Sequence, residues 1–311
     1  MLWKRLRPVV RLMGLEEMKM IRKTIIRAAL PILAAVAAMP SYAQSPPMYP
    51  PQQVDQLVAR IALYPDPLLA QIMAAATYAN DIPAAAQWAD QHHYLTGQAL
   101  ANAIAGDQLP WDPSVQALLP FPSVLAMMNA DINWTVDLGN AFLAQQQDVM
   151  DAVQRQRALA YRYGYLRTNG QVMVAPGPYI TIMPVNPGYM IVPYYDPAVV
   201  FIAPRPGFAV GLGIRFGYGV TIGGFFAPWG WTAGGMRFDW GGHAVFLNNA
   251  RWGRTWVNRA TYVHPYAQVR RPAPGVARPM EQHQLVPRSE AERRAPIQGK
   301  AAPKEAHKER R

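Results

Sequence analysis

The six histidines are the first side chains to consider for chemistry, because imidazole binds metals and transfers protons near neutral pH. His92 and His93 are adjacent, so a regular helix would direct them to different faces. His243 follows Asp239 by four residues in a glycine-rich stretch that offers no third ligand, and His264 lies close to the C-terminal segment. The sequence contains neither H-E-x-x-H nor H-x₃-H. We therefore predict no metal site and a surface or capping role for each histidine.

Nucleophilic side chains are equally scarce. The chain has no cysteine, which excludes thiolate chemistry and disulfide bonds. Ser114 and Ser123 are the only serines between Ser45 and Ser289, and each lies at a predicted helix start outside any G-x-S-x-G elbow. The sequence therefore does not support a serine hydrolase.

Asp148 and Asp151 are the carboxylates whose spacing comes nearest to an acid–base pair. They lie three residues apart on one face of a predicted helix, whereas a glycosidase needs two carboxyl groups about 5–10 Å apart across a cleft. Arg155 and Arg157 follow on the same helix, and Asp151 and Arg155 have the i,i+4 spacing of an ion pair. We predict a solvated ion-pair face here, no catalytic residue and no cofactor.

Aromatic side chains are the remaining candidates for contact with a ligand or a partner. Tryptophan and tyrosine have an apolar ring and a polar group, so they can stack on sugars. The segment NPGYMIVPYYDP at residues 186–197 carries three tyrosines between prolines. It is predicted to form a strand and a corner, with a binding role for its tyrosines as the alternative. The candidate contact residues are Trp229, Trp231, Trp240, Tyr189, Tyr194 and Tyr195.

The elements that must position these residues begin with a bundle of short helices, predicted for residues 52–164. Apolar residues recur at i, i+3, i+4 and i+7 over positions 54–61, which is typical of an amphipathic helix. Asp66 and Pro67 fit the N-cap and first turn of the next helix. The helices are rich in alanine and joined by X-Pro turns, and the longest is predicted at about 131–163. Small side chains would let such helices pack closely.

Residues 165–264 are predicted to form a small, mostly antiparallel sheet rich in glycine and aromatics, which makes the fold α+β. Residues 208–222 alternate apolar side chains with positions that are mostly glycine, a strand pattern long enough to require a bend or hairpin. The bare glycine face would accept a close-packed backbone or a flat ligand, and packing is favoured. The segment contains too few strands for a transmembrane barrel, which needs about eight.

Residues 1–43 have the layout of a secretory signal peptide. Basic residues at 19–27 precede an apolar run at 28–38, and Ser41-Tyr42-Ala43 places small residues at a cleavage site. The apolar run would span about 16 Å as a helix, against about 30 Å for a bilayer core. We predict cleavage after Ala43, no transmembrane helix in the mature chain, and export to the periplasm or outer membrane. The alternative starts are Met1, Met18 and Met20.

The net charge of +11 lies at the two ends of the chain. Residues 1–43 and 265–311 each carry +6, whereas residues 44–264 carry −1 and contain neither Lys nor Glu. Nucleic-acid binding would require a basic patch on a structured surface, so we predict no nucleic-acid partner. Residues 265–311 are predicted to be a disordered basic tail suited to an anionic membrane surface. Residues 44–51 form a proline-rich leader.

Four motifs occur in a specific order: IALYPDPLLAQIMAAATYANDIPAAAQWA, WDPSVQALLPFPSVLAMM, QQDVMDAVQRQRALA and ITIMPVNPGYMIVPYYDPAVVF. Together they resemble an uncharacterised proteobacterial family of exported proteins, a domain of unknown function numbered thirty-three hundred. The resemblance covers about residues 52–201. It implies an exported envelope protein, and it implies neither an activity nor functional residues.

These observations predict a non-enzymatic cell-envelope protein, periplasmic or associated with the outer membrane. It would act through surface interactions with an envelope polymer, an anionic membrane surface or an envelope protein. The first alternative is a peptidoglycan- or polysaccharide-binding module, because tryptophan and tyrosine are dense in the second half of the chain. The second alternative is a small β-structure associated with the outer membrane.

Overall fold

A computed structural model of the chain describes residues 45–204, 213–217 and 219–266. Within these ranges helices come first and short antiparallel strands follow, which confirms the predicted α+β fold. The predicted signal peptide at 1–43 and the part of the predicted basic tail beyond residue 266 lie outside the described residues.

Proline begins most of the helices. It occupies one of the first two positions of the helices that start at residues 51, 66, 82, 113 and 122. Its fixed φ suits the first turn, where its missing N–H is not needed. The helices are α1 Pro51–Ala59, α2 Asp66–Ala76, α3 Ile82–Gln91, α4 Gly97–Gly106, α5 Pro113–Gln116, α6 Pro122–Ala130, α7 Ile132–Ala144, α8 Gln146–Arg162 and α9 Pro197–Val200.

The single long helix predicted at about 131–163 is wrong, because Gln145 interrupts it between α7 and α8. Gln145 leaves the helical region at φ −138°. Its side-chain amide pairs with the main chain of Tyr49: Tyr49 N donates to Oε1 at 2.7 Å, and Nε2 donates to Tyr49 O at 3.2 Å. The break thus coincides with the point where the N-terminal leader is held against the helices.

The close helix packing expected from small side chains occurs between α2 and α7. Every residue of α2 except Pro67 is buried. Gly139 of α7 lies against the main chain of Ala76, so closely that a Cβ at this glycine would overlap with the Ala76 carbonyl. A glycine at this position is therefore what permits the two helices to approach each other.

Among the described residues the strands form four small antiparallel sheets, where one small sheet was predicted. β1 pairs with β2, β3 with β6, β4 with β5, and β8 with both β7 and β9. Prolines limit the ladders formed by residues 172–195, because each proline removes a main-chain donor, whereas the three-stranded sheet lies in a stretch without proline. The strands are β1 Val172–Ala175, β2 Thr181–Pro184, β3 Tyr189–Met190, β4 Pro193–Tyr195, β5 Ile214–Phe216, β6 Val220–Thr221, β7 Arg237–Asp239, β8 Ala244–Leu247 and β9 Ala250–Arg251.

The segment NPGYMIVPYYDP organises two of these sheets, since it supplies both β3 and β4. Tyr189 of β3 is paired with Thr221, and Pro193 of β4 is paired with Phe216. The strand-and-corner prediction for this segment is therefore confirmed. The described parts of the alternating stretch 208–222 form its partners β5 and β6, whereas residues 205–212 and 218 lie outside the described residues.

Tyrosine rings from the chain itself occupy the glycine face of the alternating stretch. A Cβ at Gly213 would overlap with the ring of Tyr165, and one at Gly219 would overlap with the ring of Tyr189. A Cβ at Gly217 would lie 2.8 Å from the ring of Tyr194. Each of these glycines therefore packs against a tyrosine ring, in agreement with the prediction that packing rather than a flat ligand covers this face.

Helices and strands share the largest core. The ring of Phe121, just before α6, lies 5.1 Å from that of Trp231 in the strand-rich half. A smaller cluster joins α8 to β1 and β2 through Ala160, Val172 and Ile182. The division into domains at residues 164 and 165 stays a prediction. In the part of the chain that the structure describes, no helix is long and apolar enough to cross a membrane.

Candidate functional site

The most deeply buried charges are Asp66 and Arg157, and they form an ion pair at the junction of helices and strands. Arg157 Nη1 lies 2.6 Å from Asp66 Oδ1, and the Arg157 side chain is fully buried. Its other bonds go to main-chain carbonyls: Nε donates to Ala62 O at 2.8 Å, Nη1 to Ile180 O at 2.8 Å and Nη2 to Tyr64 O at 3.0 Å. The guanidinium is thus fully enclosed by protein acceptors.

Asp66 completes this Asp66–Arg157 cluster with two donors from the strand-rich half. Ile182 N donates to Oδ1 at 3.3 Å, and Trp240 Nε1 donates to Oδ2 at 3.2 Å. The predicted N-cap role of Asp66 is wrong, because Asp66 is the first residue of α2 and its carboxylate faces these tertiary partners. The solvated ion-pair face predicted for Arg157 is also wrong. Asp66 and Arg157 bond to each other and to other groups of the protein, so the cluster stabilises the fold and offers no binding site.

The tryptophans singled out from the sequence line the core, not a groove. Trp229, Trp231 and Trp240 are all buried. Trp229 Nε1 donates to Gln116 Oε1 at 3.0 Å, and Trp231 Nε1 donates to Ala117 O at 2.8 Å. Burial leaves these rings no surface on which a sugar could stack, so they hold the strands against the helices.

The three candidate tyrosines have different environments. Tyr195 is bonded inside the fold: its hydroxyl accepts from Leu63 N at 3.2 Å and donates to Ala59 O at 2.9 Å. Burial raises the pKa of Tyr195 well above its usual range. Tyr189 and Tyr194 are 37% and 48% exposed, respectively. These two rings therefore remain accessible, and a contact role for them stays a prediction.

The ion pairs of α8 differ from the predicted ones. Arg155 pairs with Asp55 of α1, with 2.6 Å between Nη2 and Oδ1, so the predicted pair of Arg155 with Asp151 is wrong. Asp151 instead lies 2.9 Å from His243 Nε2 in the strand-rich half. Tertiary packing thus gives Arg155 and Asp151 partners on distant segments in place of each other. Each pair connects α8 to a distant segment, and neither forms an acid–base pair of carboxylates.

A second polar cluster holds residues 252–266 against the helices. Arg254 Nη1 donates to Thr77 O at 2.6 Å, its Nη2 donates to Arg259 O at 2.8 Å, and its guanidinium lies 3.6 Å above the Tyr78 ring. Burial, with the nearby charge of Asp112, raises the pKa of Asp81 at the edge of this cluster. Through these bonds Arg254 connects residues 252–266 to the helices, so the cluster stabilises the fold.

His264 belongs to the same segment, and the surface or capping role predicted for it is wrong. The side chain is buried, with Nε2–H donating to Leu247 O at 2.8 Å and Nδ1 accepting from the Tyr262 hydroxyl at 2.8 Å. The carbonyl can only accept, so Nε2 carries a proton, and in the neutral ring Nδ1 is then the acceptor for the Tyr262 hydroxyl. Burial correspondingly lowers the pKa of His264.

A further candidate is an open groove of about 640 Å³ between the helical and strand-rich halves, which we call the aromatic groove. The helical side contributes the end of α3, the start of α4 and the loop from α5 to α6. The other side consists of β3, β6 and the 3₁₀ turn Gly224–Trp229. Its principal lining residues are His92, His93, Thr96, Tyr189, Thr221 and Phe225.

Two aromatic rings, those of Tyr189 and Phe225, line the aromatic groove. Tyr189 lies on Gly219, and its hydroxyl accepts from Gly219 N at 3.1 Å. Phe225 is 40% exposed and lies 3.7 Å from the position that a Cβ would take at Gly97. Gly97 has a φ of +53°, which favours glycine at this position. Glycine thus positions both rings while leaving part of each accessible.

The polar groups of the aromatic groove lie mainly on its helical side. His92 stacks on Trp88 with 3.9 Å between ring centroids, and its Nδ1–H donates to Trp88 O at 2.8 Å. This bond occupies Nδ1 and leaves Nε2 for another partner. Thr96 and Thr221 add hydroxyls from opposite sides. The groove residues come from four segments, at 89–100, 119–122, 189 and 219–226, so no local spacing in the sequence could have identified them together.

The described residues contain no group of three or more His, Cys, Asp or Glu side chains that could hold a metal ion. His92 and His93 both line the aromatic groove, but they lie there among apolar and hydroxyl-bearing neighbours. The groove therefore offers stacking surfaces and uncharged hydrogen-bonding groups, which suits binding.

Comparison with known proteins gives a family and no activity. The family model described as "Protein of unknown function (DUF3300)" matches residues 50–245. "Uncharacterized protein YacH" of Escherichia coli (strain K12) is 36% identical over 209 residues, covering 54% of this chain and 34% of the relative. The chain thus spans about a third of the length of that curated relative. No solved structure matches the chain. The motif order predicted this result, and the chain belongs to the DUF3300 family of proteins of unknown function.

Proposed function

We propose that this chain is a non-enzymatic cell-envelope protein that binds an envelope component in the aromatic groove. The observation that carries the proposal is the pair of half-exposed rings, Tyr189 and Phe225, in a groove of about 640 Å³. Pockets that bind ligands are concave and mostly apolar, with a few convergent polar groups. The aromatic groove has this composition.

The two other polar clusters are already used to stabilise the fold, which leaves the groove as the candidate for binding. The Asp66–Arg157 cluster is enclosed by protein donors and acceptors. Arg254 ties the segment 252–266 to Thr77 and Tyr78. These clusters stabilise the fold, whereas the rings of the aromatic groove keep an accessible face.

The signal-peptide pattern at residues 1–43 supports the envelope location. Export is tested by cell fractionation combined with N-terminal sequencing. We expect a mature chain that begins at Gln44 in the periplasmic or outer-membrane fraction. An unprocessed chain recovered from the cytoplasm would overturn the proposed location.

Binding is tested by co-sedimentation of the chain from Gln44 onward with purified cell envelopes. We expect retention that falls in the groove variants Tyr189→Leu and Phe225→Leu. Tyr194→Leu is the matched control, because Tyr194 also lies on a glycine and is exposed but belongs to the β4–β5 sheet. Retention that is absent, or equally sensitive to all three substitutions, would contradict a function at the groove.

A further inference from the structure

We infer that the ligand of the aromatic groove is an uncharged glycan chain, whose pyranose rings stack on Tyr189 and Phe225. This inference rests on the proposed function, since it names the ligand class of the same groove. The second half of the chain also contains Trp229, Trp231 and Trp240, but these are buried. The groove therefore assigns sugar stacking to Tyr189, which the sequence suggested, and to Phe225, which it did not, rather than to the tryptophans.

The charge of the groove determines the first property of the ligand. Its lining contains no Asp and no Arg, and Lys and Glu are absent from residues 44–264. A cationic ligand placed here would lose hydration without gaining an ionic partner, and an anionic ligand would meet no basic side chain other than the imidazoles of His92 and His93. A neutral ligand matches these walls, which argues against a phosphorylated headgroup or an acidic polymer.

The rings determine the second property. The Tyr189 ring is fixed from below by Gly219 and by the bond between its hydroxyl and Gly219 N. Phe225 lies against Gly97 across the groove. A ring that is already held in place loses little conformational freedom on binding. The electron-rich face of each ring attracts weakly positive C–H groups, and a pyranose presents such C–H groups on its flat face.

The polar rim determines the third property. His92 Nε2, the His93 ring and the hydroxyls of Thr96 and Thr221 border the groove. An acyl chain would cover these groups without bonding to them, which is costly for each polar group that loses water. The hydroxyls of a sugar can both donate to the imidazole nitrogen and accept from the threonines. A lining that combines aromatic rings with polar side chains fits the two chemically different surfaces of a glycan.

The test measures binding of a β-1,4-linked N-acetylglucosamine hexasaccharide to the chain from Gln44 onward by titration calorimetry. We expect saturable binding by the unmodified chain, weakened about tenfold by Tyr189→Leu and by Phe225→Leu, because each variant removes one stacking ring. Tyr194→Leu should change the affinity less than about twofold. Thermal unfolding of all three variants checks that they are folded. Equal losses in all three variants would overturn the inference.

A single-cysteine variant locates the binding, because the natural chain contains no cysteine. An environment-sensitive dye at Thr221→Cys lies in the groove and should respond to the hexasaccharide. The same dye at Thr261→Cys, in the segment 252–266, should not respond. A response at Thr261→Cys alone would place the sugar elsewhere and overturn the inference.

Failure of the glycan inference can be distinguished from failure of the proposed function. Groove-dependent retention on envelopes without hexasaccharide binding would leave the proposed function standing and overturn the ligand class. Binding of a proline-rich peptide or a fatty acid at Thr221→Cys in place of the sugar would have the same meaning. Loss of both the retention and the sugar binding would overturn both.

Discussion

The interface between helices and strands and the aromatic groove at its edge are both built from aromatic side chains, but the two regions use them differently. In the interface, Trp229, Trp231 and Trp240 are at most 5% exposed and each indole N–H has an acceptor. In the groove, Tyr189 and Phe225 are 37% and 40% exposed. Exposure and free hydrogen-bonding capacity, rather than aromatic content, therefore separate the candidate site from the core.

The interface and the aromatic groove also differ in the charged side chains that they contain. The interface contains the buried ion pair of Asp66 and Arg157, whereas the lining of the groove contains neither Asp nor Arg. Buried charges require partners and so mark a place where the structure is tightly specified. A neutral groove has no such requirement and can exchange water for a ligand. Substitutions in the interface should therefore reduce stability, and substitutions in the groove should reduce binding.

The largest expected effect is that of Arg157→Ala, which would leave the Asp66 carboxylate buried without its cation. We expect the free energy of unfolding to fall by about 3–5 kcal/mol, measured by urea denaturation. The matched control is Arg155→Ala on the same helix, whose pair with Asp55 is partly exposed. It should cost about 1 kcal/mol or less. Similar costs for the two variants would contradict the special role of the buried pair.

Trp231→Phe should have the next largest effect on stability. The substitution keeps a ring in the core but removes the indole N–H that donates to Ala117 O. A buried carbonyl left without a donor costs about 1–3 kcal/mol, and we expect a loss in that range by the same denaturation assay. Hexasaccharide binding should be unchanged. A variant that loses affinity but not stability would place Trp231 in the binding site and break the comparison.

The pH dependence of stability should reflect His264. Because burial lowers its pKa below the ordinary value of 6.5, the unfolded chain binds a proton at a higher pH than the folded chain does. The stability contributed by the neutral ring is therefore present above pH 6.5 and is lost as the pH falls below it. Asp81, whose pKa is raised, has the opposite sign: its buried charge destabilises the folded chain at neutral pH, and this cost is relieved as the pH falls through the raised pKa towards 3.8.

This dependence can be measured as the urea midpoint at pH 7.5 and at pH 5.5. The midpoint of the natural chain should decrease on acidification. His264→Gln can keep both hydrogen bonds but does not titrate, so its midpoint should decrease less. Identical pH dependence in the two proteins would rule out His264 as the cause.

The smallest expected effect on stability is that of Phe225→Leu in the groove. The ring is 40% exposed, and leucine retains apolar surface at the same position. We expect a cost of about 1 kcal/mol or less, measured as a shift in the denaturation midpoint. A cost comparable to that of Arg157→Ala would show that Phe225 belongs to the core and would remove the distinction between the two regions.

The helices were the most predictable part of the fold, because their signals are local. Proline at the first turns and the apolar spacing from Val54 to Ile61 both correspond to observed helices. The interruption at Gln145 was not predictable in this way, since its partner Tyr49 lies 96 residues away. The environment of Arg157 has the same cause: its acceptors Ala62 and Tyr64 are 95 and 93 residues distant.

The aromatic groove was less predictable than either. Tyr189 was a candidate from its place among prolines, but Phe225 and Thr221 carried no signal of their own. Trp229, Trp231 and Trp240 had the strongest composition signal and proved to be buried. The neighbours of a tryptophan along the sequence do not show whether its ring faces a ligand or a helix. Composition therefore could not separate a binding residue from a core residue.

The sequence by itself determined the order of helices and strands, the X-Pro helix starts and the membership of the family, because these depend on residues that are close along the chain. Only the tertiary structure decided which aromatic rings are buried, which glycines receive a tyrosine ring and which polar groups meet at the groove. These properties depend on contacts between distant segments, such as Trp240 with Asp66, which are 174 residues apart. Periodicity specifies which face of an element is apolar, and packing alone specifies what that face meets.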